Sequence, residues 1–199
     1  MTTLFVKKEN APAIWIYENC FDPQNFIDLI EEEASRDWPY LSWLSSSTGG
    51  NEISIKSEYR TSQEINVSPL LSDDVDDSLS EVSQLFKKIF SDIDKTIWDY
   101  RECFDLFIRS FQGLSLLKYS NGGEYHHHYD HDSSNERVLS MVASISSDCI
   151  GGELEFPHFN TKIKLSAGSV VLFPSNFPYT HIAHPVESGT KYSLVTWFV

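Results

Sequence analysis

The chain has 199 residues and a formal net charge of −14, from 15 Lys+Arg against 29 Asp+Glu, with 41% hydrophobic and 22% charged residues. That composition excludes a disordered, fibrous or membrane-spanning chain and gives one globular domain as the prior for this length. The acidic balance, with no basic run, counts against gripping a phosphate backbone, which needs clustered Lys and Arg.

The opening MTTLFVKKEN is too polar for a signal-peptide core, and no apolar stretch approaches the roughly 20 residues of a membrane span. Cys20, Cys103 and Cys149 are odd in number and widely spaced, so a disulfide framework and a cysteine zinc knuckle are both disfavoured. A reducing cytosol is the simplest compartment.

In chain order, the first half reads as helices and loops. Asp22 is placed to cap a helix whose first turn holds Pro23 and whose apolar stripe is Phe26, Leu29 and Ile30; it ends before Pro39. Residues 45–63 form a long, polar, Gly-containing loop whose composition suits an active-site lid and equally a disordered insertion. From about 76 to 100, Leu79, Val82, Leu85, Phe86, Ile89, Ile93 and Ile97 recur at helical spacing and predict one long or broken helix. Trp15, Trp38, Trp43 and Trp98 are assigned to core or helix packing.

After Gly113 the pattern becomes short apolar runs broken by Gly, Pro, Asn and Asp. It predicts strands at 114–119, 125–131, 137–146, 152–156, 161–165, 169–173, 180–184 and 190–198. Eight short strands in that span point to a sandwich or barrel, with the preceding helices packed on one face.

Four of the seven histidines fall in HHHYDH, residues 126–131. Side chains two apart on a strand share a face, so His128 and Asp130 form a His-x-Asp pair. His126 and Asp132 extend that face, while His127, Tyr129 and His131 point the other way. A third ligand must come from elsewhere, with His158, His181 and His184 available. Two histidines and one carboxylate on one face of a metal leave open positions, an arrangement suited to non-haem Fe(II).

The stretch from Tyr119 through Gly122, Gly123 and Tyr125 to His128 and Asp130 resembles the iron-binding strand of prolyl 4-hydroxylase-like 2-oxoglutarate dioxygenases. Gly151-Gly152-Glu153-Leu154, Gly168 to Pro174, His181 to Val186, and Gly189 to Trp197 resemble that family's later strands. The resemblance covers residues 114–199 closely; residues 1–113 match only in general layout.

The resemblance implies an α+β single domain over 1–199. Residues 114–199 would form a double-stranded β-helix, a jelly roll of two four-stranded sheets, and residues 1–113 helical support and substrate-side loops. It implies His128, Asp130 and His181 as ligands of Fe(II). Lys191, ten positions after His181, would pair with the distal carboxylate of 2-oxoglutarate, a buried carboxylate that needs a charge-assisted partner.

Ser193, two positions on, would add a donor, and Tyr119 would reach the cosubstrate. Ser144 stands about where several relatives carry a tyrosine that also binds this carboxylate; its shorter side chain loses that contact or bridges it by water. Arg60, Tyr125 and His126 are the residues expected to meet substrate.

The implied activity is hydroxylation of an unactivated C–H, with release of succinate and CO₂ and with ascorbate as a further cofactor. Prolyl residues of a peptide or protein are the first substrate class and a small molecule the second; the acidic charge favours a basic peptide. Three rivals stand beside it: a nucleic-acid demethylase of the same superfamily, a zinc hydrolase on the same ligands, and a non-catalytic metal-binding barrel.

Overall fold

The computed structural model describes residues 5–36, 41–46, 59–131, 136–146 and 148–199. Trp38, Pro39, Asp132 and most of the expected lid lie outside them.

The first half holds more strand than the sequence reading expects. β1 (Val6–Ala11) and β2 (Ile14–Glu18) form an antiparallel hairpin, with Ala13 at φ 57 in its turn. β1 hides from pattern reading because it is an exposed edge, VKKENA, with no alternating apolar face. β2, IWIYE, is β-branched and aromatic, but at five residues it is too short to separate from a helical turn by period alone.

Asp22 does not cap the next helix; its Oδ1 accepts the Gln24 amide at 3.0 Å in a local turn. α1 (Phe26–Ala34) starts after Asn25, which sits at φ 65, and buries Phe26, Ile30 and Glu33. β3 (Leu44–Ser45) and β4 (Gln63–Asn66) are short strands. A 3₁₀ turn at Asp77–Leu79, capped at its start by Asp76, whose carboxylate accepts the Ser78 amide, leads into α2 (Ser80–Phe104). The buried face of α2, Val82, Phe86, Ile89, Ile93, Ile97 and Tyr100, follows the predicted stripe. Trp98 is the exception among the described tryptophans: it is 53% exposed, and the Arg101 guanidinium lies 4.6 Å over its ring.

The remaining strands are β5 (Ser115–Tyr119), β6 (Tyr125–His128), β7 (Leu139–Ser144), β8 (Ile150–Gly151), β9 (Leu154–Phe156), β10 (Thr161–Ile163), β11 (Ser169–Pro174), β12 (His181–Ala183), β13 (Val186–Ser188) and β14 (Lys191–Phe198). Strands β11-β7-β14-β5 form a four-stranded antiparallel layer, and β10-β9-β12-β6 form the opposing one. The expected two-sheet β-helix is therefore present. The first layer grows to eight strands because β2 and β1 add beyond β11, and β4 and β3 beyond β5. β8 and β13 pair separately.

Period-two alternation sorts β14 between two environments. Tyr192, Leu194 and Phe198 join the core under α1 and α2, with Phe26, Ile30, Phe86 and Ile93. Lys191, Ser193, Val195 and Trp197 point the other way, into the space between the sheets. β7 does the same, sending Met141 and Ala143 to the helices and Ser140, Val142 and Ser144 inward. One sheet thus carries the helical core on one face and a cavity on the other.

Candidate metal and cosubstrate site

His128 ends β6 and His181 begins β12, and the antiparallel register sets them directly opposite each other. Asp130 lies just past the strand in the following loop, where its backbone N–H donates to the Ser175 carbonyl at 3.0 Å. The three side chains each offer a ligand atom, all within 4.8 Å of one another. His128 Nε2 is 3.6 Å from Asp130 Oδ1, and His181 Nε2 is 3.8 Å from Oδ2.

Each imidazole has its other nitrogen occupied. His128 Nδ1 lies 2.7 Å from the His126 carbonyl and His181 Nδ1 lies 3.1 Å from the Tyr179 carbonyl. A carbonyl only accepts, so each Nδ1 donates and each Nε2 keeps its lone pair for a metal. Burial, reinforced by His181 beside it, pushes His128 down to about 3. Burial alone would raise Asp130; the facing histidines and the donors Ser140 and Trp197 outweigh it and hold the carboxylate below its usual range. Two imidazole Nε2 atoms and one carboxylate held ionised are a donor set that fits Fe(II).

The carboxylate is held by groups that sequence reasoning missed. Ser140 Oγ donates to Asp130 Oδ2 at 2.6 Å and lies 2.8 Å from Ser175 Oγ. Arg137 donates to the Asp130 carbonyl at 3.3 Å, and its guanidinium lies 3.9 Å over the Trp197 ring. The inward phase of Leu139–Ser144 carries the signal for Ser140: a small polar residue at a core-facing strand position.

The same cavity, about 510 Å³, is lined by Arg60, Tyr119, Tyr125, Lys191 and Ser193 besides the three ligand residues. Lys191 is half-buried, its Nζ donating to the Gly152 carbonyl at 2.7 Å and lying 5.3 Å from the Tyr119 ring. Gly152 is needed there: at φ 70 it is strained for any L side chain, and an added Cβ would come 3.1 Å from Lys191 Cδ. Among the described residues no carboxylate forms an ion pair with Lys191. Burial pushes it down to about 8, with Lys164 acting the same way against Cys149 and Glu153. Ser193 Oγ is buried without a hydrogen-bond partner. An uncompensated ammonium and an orphaned hydroxyl in one cavity fit the distal carboxylate of 2-oxoglutarate.

The remaining expected residues are placed as follows. Ser144, 4% exposed, lies opposite Ser193 and donates to the Ser146 carbonyl at 2.9 Å rather than into the metal cavity. Arg60 is buried in the cavity wall, 4.9 Å over the Tyr125 ring and 3.4 Å from Glu64. Tyr125 stacks on His128 with centroids 3.6 Å apart.

His126 stays out of the cavity lining. Strict alternation would put it beside His128, but the pairing skips a residue between His181↔His128 and Ala183↔Tyr125. That bulge brings Tyr125 to the ligand side, and His126 instead faces Glu124, 3.3 Å away, and the Tyr59 ring. His184 pairs with Glu155 and His158 lies by Phe177, both away from the ligands.

Residues 114–199, less than half of the chain, match the family model described as 2OG-Fe(II) oxygenase superfamily, and the cluster of His128, Asp130 and His181 lies within the matched stretch. A PKHD-type hydroxylase of Prochlorococcus marinus (strain MIT 9301) is 32% identical over 95 residues, 45% of this chain and 42% of that protein. The chain thus spans less than half the length of this relative. The fold is similar to the viral collagen prolyl hydroxylase of Paramecium bursaria Chlorella virus-1, in its 2OG complex, with TM-score 0.63, 18% identity and coverage of 94% and 95% of the two chains. It is also similar to a Trichoplax adhaerens prolyl hydroxylase in complex with a hypoxia inducible factor peptide fragment, with TM-score 0.69, 16% identity and coverage of 94% and 83%. No helix among the described residues is long and apolar enough to cross a membrane.

Proposed function

We propose that the protein is an Fe(II)- and 2-oxoglutarate-dependent hydroxylase of the prolyl 4-hydroxylase type, acting on a prolyl residue of a peptide or protein, with residues 1–199 working as one domain. The observation that carries this is the single cavity that His128, Asp130 and His181 share with Lys191 and Ser193. The prolyl hydroxylases of similar fold and the hydroxylase relative support the substrate class. The net charge of −14 favours a basic peptide.

Bound between the three ligands, Fe(II) with 2-oxoglutarate and O₂ would supply the oxidising chemistry, with succinate and CO₂ as co-products. The chain's own share is positional. His128 and His181 present Nε2, and Asp130 presents a carboxylate fixed by Ser140. Lys191 and Ser193 donate to the distal carboxylate, while Val142, Leu154 and Val195 line the space between and exclude water. Arg60 and Tyr125, stacked on the outer side of His128, form the wall that meets the substrate.

The deciding experiment is anaerobic addition of Fe(II) and then 2-oxoglutarate, watching for a visible metal-to-ligand charge-transfer band. The band should appear in the wild type and vanish in His128→Ala. No band in the wild type, with tight zinc binding instead, would sink the oxygenase reading. A peptide array with no preference for Lys/Arg-flanked proline would remove the basic-peptide preference alone.

A further inference from the structure

The metal cavity does not stop at Lys191. A second, narrow cavity, with room for about 20 Å³ of water-sized occupancy, shares Val142, Leu154, Lys191 and Ser193 with it, and continues to Ser144, Ser146, Cys149, Ile163, Lys164 and Leu165. Its origin is side-chain size. Ser193 on β14 lies opposite Ser144 on β7, and two serines facing each other leave room that one bulky residue would fill. Ser144 turns its hydroxyl to the Ser146 carbonyl, so nothing bridges the gap to the orphaned Ser193 Oγ.

At the far side, Lys164 Nζ donates to the carbonyls of Cys149, at 3.0 Å, and of Gly151, and lies 3.2 Å from Cys149 Sγ. These partners are two backbone carbonyls and a cysteine sulfur. The described lining therefore holds two ammonium groups and three serine hydroxyls and no carboxylate, within a chain of net charge −14. Such a lining favours an anion strongly. The distal carboxylate of 2-oxoglutarate on Lys191 accounts for only the nearer cation.

We propose that the cosubstrate pocket extends past Lys191 to Lys164, so that the protein takes 2-oxo diacids one methylene longer than 2-oxoglutarate, 2-oxoadipate being the matching compound. This rests on the oxygenase reading of the site. Val142, Leu154, Ile163 and Leu165 supply apolar walls for the added methylene. Lys164 and Ser146, together with Ser193, then share the displaced carboxylate. The competing occupant of the space is an ordered water bridging Lys191 and the serines, which would leave the longer acid excluded.

The test is anaerobic titration of the Fe(II)-loaded protein with 2-oxoglutarate and with 2-oxoadipate, following the charge-transfer band and the thermal shift each acid gives. Both acids should bind, with dissociation constants within about tenfold of each other. Lys164→Met should weaken 2-oxoadipate at least about fivefold more than 2-oxoglutarate, and Ser144→Tyr, which fills the second cavity, should discriminate further.

If 2-oxoglutarate binds and 2-oxoadipate is more than about tenfold weaker, the extension is overturned and the oxygenase reading stands. Equal weakening of both acids by Lys164→Met, in a variant whose melting temperature without ligand matches the wild type, overturns it too. Neither band nor shift with either acid overturns the oxygenase reading and the extension together.

Discussion

The two ends of the central cavity are built on opposite plans. At the metal end every group is already held: both Nδ1 atoms have carbonyl partners, and Asp130 has Ser140, Trp197 and a tethered backbone. At the lysine end, among the described residues, Ser193 has no partner and Lys191 has a backbone carbonyl but no anion. The first end is preorganised, so a metal meets ligands that need not be reoriented. The second end carries an unmet electrostatic demand that its ligand must satisfy.

The largest effect that separates the two ends is expected from Asp130→Ala. It removes the only carboxylate of the ligand cluster, so the Fe(II) dissociation constant should rise beyond the roughly 10–100-fold that an outer-shell partner is worth. Anaerobic metal titration measures this. Retained Fe(II) affinity would mean that the cluster is not the metal site.

Lys191→Met should do the converse. Losing a buried charged donor should weaken 2-oxoglutarate about 10- to 100-fold while leaving Fe(II) affinity in place. The wild type offers the same cut by pH. Burial puts Lys191 at about 8, and the cation is the form that binds the carboxylate. Cosubstrate affinity should thus be full below pH 8 and fall above it, until the bound anion's own stabilisation of the ammonium is outrun. Flat 2-oxoglutarate affinity from pH 7 to about 10, the ordinary lysine range, would place the anchor elsewhere.

What could be read from the sequence divides along the same physical line. The β half was legible because its central strands are buried on two sides and their turns carry Gly, Asn and Pro; Ser169–Pro174 and Lys191–Phe198 fall within a residue of expectation. Legible too was the ligand cluster, since His128 and Asp130 are two apart and His181 sits in a strand of its own. The exposed edge β1 was not, because nothing in VKKENA marks a buried face. His126 and Tyr125 exchanged places because a bulge breaks the period of two, and a bulge is a property of the pairing rather than of either strand alone. Ser140 went unnoticed for a different reason: a lone inward serine has no pattern until its partner is known.

Ser140→Ala sharpens the contrast at smaller amplitude. With Trp197 still donating, Asp130 keeps one anchor, and Fe(II) should bind about tenfold more weakly with no change in 2-oxoglutarate affinity once metal is saturating. Equal losses at both ends would show instead that β7 as a whole had shifted.

Ser193→Ala should give the smallest change and the most telling sign. In the protein without cosubstrate the hydroxyl is a buried donor with nothing to bond, a liability of about 1–3 kcal/mol, so removing it should raise the melting temperature. With 2-oxoglutarate present the hydroxyl becomes a partner of the distal carboxylate, and its loss should weaken binding by roughly fivefold. Stabilisation without ligand and weakening with it are what a group held in reserve for a ligand must show. A merely structural serine would lose stability in both states, and thermal melts with and without 2-oxoglutarate tell the two apart.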